Sequence, residues 1–442
     1  MAEKNKKTFK MPHTFVIMMV IILFATLLTW IIPAGQYVRV ENADGVKVVD
    51  PNQFSFIDRC PVNPLLIPLY IVNSMCKRVD LMLVIIFSGG AFDLISKSGA
   101  LHSAVARVAK VFQNRLYIFI PIMTTIFALI CTTQGVNQFI AFAPVVVMIT
   151  LAMGLDSIVG AAIILLGGAV GFATGTVNPS TTVVAQKIAE LPLFSGIQYR
   201  AVCFVVFLII TNIYLVRYAL KIRKNPELSP MYDLDSQNEQ KDLDIDSFGT
   251  MDVRKTLIII ALVAALAGMV VGSVKFGWDN MSKVFVEGCK KMLTAAMIIG
   301  LASAIASIMS AGKIVDTVVY ALASCLRHTP SFFMAPAMYI ANTLINFVIV
   351  SGSGQAAAIM PIMIPVSDLL GVTRQTSVLA YNFGDGFCNY ILPHSTALMG
   401  IISAVNIPYD RWLKFIWKLF LIWAVTACIM TALAQGIHLG PM

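Results

Sequence analysis

Charge is what this sequence has least of. Asp, Glu, Lys and Arg make up 12% of its 442 residues, about half the share of an ordinary soluble domain, which excludes a water-soluble globule with a charged shell. Metal-ligand spacing is missing too. The eight cysteines stand singly, without a CxxC pair and mostly inside apolar runs, so they read as small buried hydrophobes rather than a zinc or redox motif. No HExxH and no serine–lysine arrangement is present, so no enzyme centre is in view and no cofactor is called for. The net charge of +9 lacks a basic-aromatic module, and its Lys and Arg sit at the ends of apolar segments, which argues for a membrane surface and against nucleic acid. A cleavable signal is not expected either. MAEKNKKTFK precedes an apolar run of about 18 residues, too long for a signal-peptide core. A retained helix over 13–33 follows, with its four preceding lysines on the cytoplasmic side.

What the chain has instead is apolar length. It is 58% hydrophobic with a mean hydropathy of +0.81, and stretches such as Phe15 to Ile32, Ala201 to Val216, Leu257 to Val271 and Leu413 to Leu433 approach the roughly 20 residues that cross a bilayer as a helix. The expected fold class is an all-α polytopic membrane protein of the inner (plasma) membrane, in contact with lipid. Gly35 to Pro61 reads as an outer polar loop. Pro64 to Cys76 is short and ends in Lys77-Arg78. Val79 to Ser96 reads as a helix containing Asp93, and Leu101 to Phe112 as an interfacial stretch. Residues 223–252 are acidic and polar, flanked by Lys and Arg, and read as a solvated cytoplasmic linker between a first membrane repeat, 1–222, and a second, 253–442. The number of crossings stays open at 64–76 and 280–291.

Two interruptions organise this apolar text. VSGSGQAAAIMPIMIP at 350–365 strips away bulky side chains over Ser351 to Gly354, freeing the backbone to leave helical geometry, and helix-compatible residues resume at Gln355. CTTQGVNQFIAFAPVVVMI repeats the pattern in weaker form. A shift of 217 residues lays Gly135 on Gly352, Gln138 on Gln355, Pro144 on Pro361 and Gly154 on Gly371, and a shift of 214 lays Pro179, Thr181 and Thr182 on Pro393, Ser395 and Thr396. The halves are therefore read as homologous and inverted, each with a re-entrant hairpin and a broken transmembrane helix. Broken helices expose positive N-termini to anions and free carbonyls to cations.

The candidate substrate-binding residues come from these four interruptions: Gly135, Asn137 and Gln138; Thr174, Gly175, Asn178, Ser180 and Thr181; Ser351, Gly352, Ser353 and Gln355; and Asp385, Asn389, His394, Ser395 and Thr396. Asp385 stands out, because a carboxylate at membrane depth is expensive and marks a functional site by default. It could bind a substrate ammonium or guanidinium, carry a coupled proton, or cap a helix end. His394 could titrate or hydrogen-bond a substrate, or be a satisfied interior histidine. Asp93 reads most simply as a partner of Lys97, and Arg374 as a surface residue. No metal site is firm, with sodium near Ser351 and Ser353 left open.

The stretches SGSGQAAAIMP, GFATGTVNPSTT followed by LPLFSG, YNFGDGFCNYILPHS, IIPAG and SGGAF resemble the YfcC-type branch of the anaerobic four-carbon dicarboxylate carrier family, within the ion-transporter superfamily. The resemblance spans nearly the whole chain apart from the acidic linker. It implies inverted repeats, opposed re-entrant hairpins, a central substrate and ion site, and a homodimer working by an elevator mechanism. In related sodium-coupled carriers each hairpin tip bears Ser-Asn-Thr. Here Gln134-Gly135-Val136 and Ser351-Gly352-Ser353 stand in those positions, a departure that counts against sodium coupling at the first tip. The expected function is secondary active transport of a small charged metabolite by exchange or by proton or sodium coupling. A basic amino acid is preferred, since Asp385 is the one charged group placed in the pocket and no Arg or Lys is. A four-carbon dicarboxylate is the alternative.

Overall fold

The computed structural model describes residues 14–41, 47–79, 82–83, 86–87, 90–91, 93–94, 112, 115–236, 278–326 and 333–440. The expectations for 101–112 as a unit, for the helix from Leu257, for Lys97 and for most of the linker lie outside these residues. Among the described residues three helices are long and apolar enough to cross a membrane, at 197–224, 292–311 and 409–436, and the chain is a helical membrane protein.

After α1 (Thr14–Ile31) the expected polar loop is an antiparallel hairpin, β1 (Gly35–Glu41) and β2 (Lys47–Phe56). The all-α expectation fails here because runs containing strand-forming Tyr, Val and Phe stand on either side of Asp44-Gly45, a hairpin-turn pair. The hairpin is anchored by side chains distant in sequence. Asp316 accepts from the Tyr37 amide at 3.0 Å and pairs with Arg39, while Phe54 stacks on Tyr320 with centroids 4.2 Å apart. α2 (Ile67–Lys77) then runs beside α9 (Trp278–Ala311), with Ser74 donating to Ser307 at 2.9 Å. Residues 280–291, expected as a separate stretch, belong to α9. Their Lys and Glu are good helix formers, so the helix runs on through the polar residues.

Each half presents the same order of elements. In the first, α3 (Leu116–Cys131) breaks, a short 3-10 turn at Val136–Phe142 leads into α4 (Ala143–Ala152), and α5 (Ser157–Ala173) breaks before α6 (Thr182–Ile188) and α7 (Ile197–Lys224). After α8 (Tyr232–Asp235), α9 and α10 (Val315–Leu326), the second half gives α11 (Met334–Asn346), a break, α12 (Gly352–Leu369), α13 (Arg374–Cys388), a break, α14 (Thr396–Ala404) and α15 (Tyr409–Gly436). The 217-residue correspondence holds position by position at one turn. Gly154 and Gly371 both take positive φ, +75° and +69°, and the caps that follow, Asp156 and Thr373, each accept from the amide three residues on.

Packing repeats as well: α3 and α7 flank α5, and α11 and α15 flank α13. α7 and α15 lie antiparallel, since Tyr199 bonds Met430, Thr211 bonds Trp423 and Tyr214 bonds Phe415. α5 is buried almost throughout, and its glycines permit this. A Cβ at Gly171 would lie 2.0 Å from the Ala128 carbonyl oxygen, and one at Gly386 of α13 would lie 2.2 Å from the Ala173 Cβ. The LPLFSG motif is a joint rather than part of a pocket. Gln186 bonds the Phe194 amide and the Ser195 carbonyl, and buried Arg200 bridges Ser195 and Gln375. At the surface Arg374 pairs with Asp368 and Glu190, as its surface reading expects.

The start of the expected solvated linker is a docked strap. Ser229 and Tyr218 donate to Asp156 at 2.7 Å, Asp235 accepts from the Ser157 amide at 2.9 Å, and Asp233 pairs with Arg411. Its acidic residues find cap amides and a cation, so the strap lies on the protein rather than in water. The Arg411 hydrogen bonds hold the Asp233 carboxyl down at about 2. A depressed folded value means a contribution fully present above about pH 4 and lost as pH falls through about 2. Asp233 is largely exposed, so Asp233→Asn lowers stability at pH 7 by less than about 1 kcal/mol. Thermal midpoints of the two proteins should differ slightly at neutral pH and converge as pH falls below about 2.

Candidate functional site

The breaks meet in a cavity of about 540 Å³. Contact across it is crossed. The first tip touches the second break, where Thr396 donates to Asn137 Oδ1 at 3.2 Å. The second tip touches the first break, where a Cβ at Gly352 would lie 2.6 Å from the Thr181 methyl. The 3-10 turn packs on α14 and α12 packs on α6, so each hairpin is seated on the other half's short helix.

Local chemistry explains two of the interruptions. Asn178 Oδ1 accepts from the Ser180 and Thr181 amides at 2.9 and 3.2 Å, turning the chain between α5 and α6. Gly175 takes φ +58° between Asn382 and Thr182. At the second tip the break covers residues 347–351, earlier than the glycine run implies. Ser351 caps α12 by accepting from the Gly354 amide, so Gly352 to Gly354 form the first helical turn. The small residues bare that turn's amides rather than prevent the helix. Together with the start of α14 at Thr396, this turns helix N-termini, each carrying about half a positive charge, toward the cavity.

Twelve of the candidate residues line the cavity: Gly135, Asn137, Asn178, Ser180, Thr181, Ser351, Gly352, Ser353, Asn389, His394, Ser395 and Thr396. Five do not. Gln138 is exposed and bonds Gln134, Thr174 bonds the Val170 carbonyl one turn back, and Gly175 shapes the turn. Gln355 is buried with its amide donating to the Asn342 carbonyl at 3.0 Å, and Asp385 is 1% exposed. Asp385 therefore lies behind the wall and not in it: Gly352 stands between, its Cβ position 2.9 Å from Asp385 Oδ2. Asn346, unremarked in the sequence, organises this layer by donating to the Asp385 carbonyl and to Asn389 Oδ1. His394 is held by the Asn346 and Phe347 carbonyls, while its Nε2 has no partner among the described residues.

The wall has two cations that sequence reading assigned to a membrane boundary. Lys77 and Arg78 line the cavity beside Ser74, Ser303 and Ser307. A signal was present: eleven helical residues rise roughly 17 Å, too short to carry α2 across a bilayer core of about 30 Å. The premise that the pocket has no Arg or Lys is overturned.

An apolar helical chain whose halves close around a polar cavity at interrupted helices has the construction of a membrane carrier. The C4-dicarboxylate anaerobic carrier family model matches residues 11–280 and 250–436, and the chain belongs to that family. It is 27% identical over 93% of its length to 94% of "Putative basic amino acid antiporter YfcC" of Escherichia coli, and 26% identical over 94% of its length to 95% of an uncharacterized protein of Haemophilus influenzae. Among solved structures, the YdaH transporter of Alcanivorax borkumensis aligns with a TM-score of 0.45 at 15% identity, covering 97% of this chain and all of that one. The MtrF structure of Neisseria gonorrhoeae, titled as illuminating a class of antimetabolite efflux pumps, aligns at 0.42 and 15%, covering 98% and 96%.

Proposed function

We propose that the chain is a secondary active carrier of small metabolites bearing carboxylates, with four-carbon dicarboxylates as the favoured class. The carrying observation is the presence of Lys77, Arg78 and the capped N-terminus of α12 on one cavity, from which the Asp385 carboxylate is screened by Gly352. A dianion needs cations and strong donors to replace its hydration, and this wall supplies both. Asn137, Asn178, Ser180, Thr396 and His394 complete a set of neutral partners. In this reading the halves are inverted repeats, α3–α4 and α11–α12 are re-entrant hairpins, and the cavity moves across an inner membrane in an elevator motion within a homodimer. The N-terminus and the 223–252 linker are on the cytoplasmic side, with a proton or sodium ion as coupling ion or with exchange in its place.

Basic amino acid exchange is the second reading. The name of the Escherichia coli relative favours it, and an amino acid shares the carboxylate that Lys77 and Arg78 would hold. Counterflow in proteoliposomes separates the two. Internal succinate or fumarate should accelerate entry of labelled succinate, with arginine and ornithine without effect. Acceleration by arginine or ornithine alone would install the second reading, and downhill flux indifferent to internal solute would rule out a carrier.

A further inference from the structure

We infer that a second binding site for a carboxylate, a staging site beside the central cavity, lies between Lys77 and Lys313. A further cavity of about 560 Å³ meets the central one at Lys77, Ala306 and Ser307, which line both. Its other polar lining is Tyr70, Asn73, Ser310 and Lys313. Helical spacing explains why these residues meet. Tyr70, Asn73, Ser74 and Lys77 recur at three- and four-residue steps along α2, and Ser303, Ser307 and Ser310 do so along α9. The two helices pack together, and the Ser74–Ser307 hydrogen bond ties one polar stripe to the other. Leu69 and Val72, the exposed apolar residues of α2, fall on a separate arc of that helix. A polar stripe turned to lipid is costly, whereas one lining a wet groove is not.

Charge selects the ligand. Lys77, Arg78 and Lys313 have no ion pair among the described residues, and no Asp or Glu is among the described residues lining either cavity. A groove with cations of one sign and no acid to balance them concentrates anions. Lys313 is fixed in place by its main chain. Its carbonyl accepts from the Gly35 amide at 3.0 Å, at the foot of the β-hairpin. It also follows Ser307 by six positions, roughly 9 Å along the helix axis. Lys313 therefore marks the hairpin end of the groove and Lys77 its junction with the central cavity. Serine hydroxyls between the two offer donors to a carboxylate. The flexible four-carbon stem of Lys77 lets one ammonium serve both cavities in turn.

The test reads charge directly and needs no transport. Ser310→Cys is made in the otherwise native full chain, purified in detergent, and exposed to an anionic sulfonatoethyl or a cationic trimethylammonioethyl methanethiosulfonate. Mass spectrometry of the peptide carrying position 310 gives each rate, divided by the same reagent's rate with a small thiol in solution. The anionic reagent should be favoured about tenfold at low salt, and Lys313→Gln or high salt should remove most of that preference. Lys313→Arg should keep it, and succinate should slow the reaction. Equal normalised rates, or a preference untouched by Lys313→Gln, overturn the inference. Protection by phosphatidylglycerol added to the micelles, with none by succinate, assigns the cations to a lipid headgroup and overturns it too. If Lys313→Gln does not fold, the salt series decides, since a preference that survives high salt is not electrostatic. The staging role rests on the carboxylate reading above. In succinate counterflow Lys313→Gln should therefore raise the half-saturating concentration about fivefold at low salt with the maximal rate retained. Anionic preference with succinate protection but no succinate counterflow would leave the site standing and remove only the transport reading.

Discussion

With Lys77→Gln and Arg78→Gln combined, the half-saturating concentration of a four-carbon dicarboxylate rises at least about a hundredfold. A hydrogen bond to a charged partner contributes roughly 1.5–3 kcal/mol, and each 1.4 kcal/mol is a factor of ten, so the loss of two such contacts easily reaches that size. Both side chains are exposed on the cavity wall, so the thermal midpoint should move little. Selectivity supplies a second reading of the same variant. A zwitterion presents one carboxylate and a dianion two, so affinity for an amino acid falls less than affinity for succinate. Substrate titrations on wild type and the double variant check both parts. Equal succinate affinity in the two proteins would take these residues out of the site.

Gly386→Leu is expected to be the most damaging single change on the apolar side. Gly386 and Ala173 are the places where the two broken helices touch, and a Cβ at 386 would lie 2.3 Å from the Ala173 Cα as well as 2.2 Å from its Cβ. Rotamer changes relieve contacts with flexible side-chain ends, not with backbone, so α5 and α13 would have to part. Overpacking of a well-filled core costs 1–3 kcal/mol, and here the larger residue falls on a backbone crossing, so about 3 kcal/mol or more is expected. Gly135→Ala is the control. Nothing lies within 4 Å of its Cβ position, and its effect should stay within about 0.5 kcal/mol. Thermal unfolding of both variants in one detergent reads the contrast. A Gly386→Leu protein as stable as wild type would show that the crossing has slack.

The sequence disclosed interruptions better than their surroundings. Glycine and proline runs inside apolar text have few uses, so the tips and breaks were visible, and the 217-residue shift paired the turns at Gly154 and Gly371, while the caps that follow them, Asp156 and Thr373, were not read. Long-range partners were hidden. The hairpin over 35–56 was taken for a loop because Asp44, Asp50 and Asp58 outweighed its alternation, and its anchor, Asp316, lies about 280 positions away. Asp385 was picked out by its cost, but whether a buried carboxylate faces a cavity or the back of its wall depends on the neighbouring hairpin. Lys77 and Arg78 were misread through a general tendency of cations to sit at helix ends, which says nothing about whether such an end also borders a cavity. The acids of the strap suffered the opposite error, since charge density alone suggested water.

The crossed seating of the hairpins has a consequence for biosynthesis. When a ribosome has finished residues 1–222, the first tip still lacks Thr396 and the first break lacks Gly352, because both are encoded more than a hundred residues later. The early half must wait in the bilayer with its polar residues unclaimed. Closure of the cavity is then a late event that only the last segments of the chain can trigger. Truncation before α12 leaves both surfaces unfinished, and truncation between α12 and α14 still leaves the first tip open, a built-in reason for quality-control proteases to remove incomplete chains.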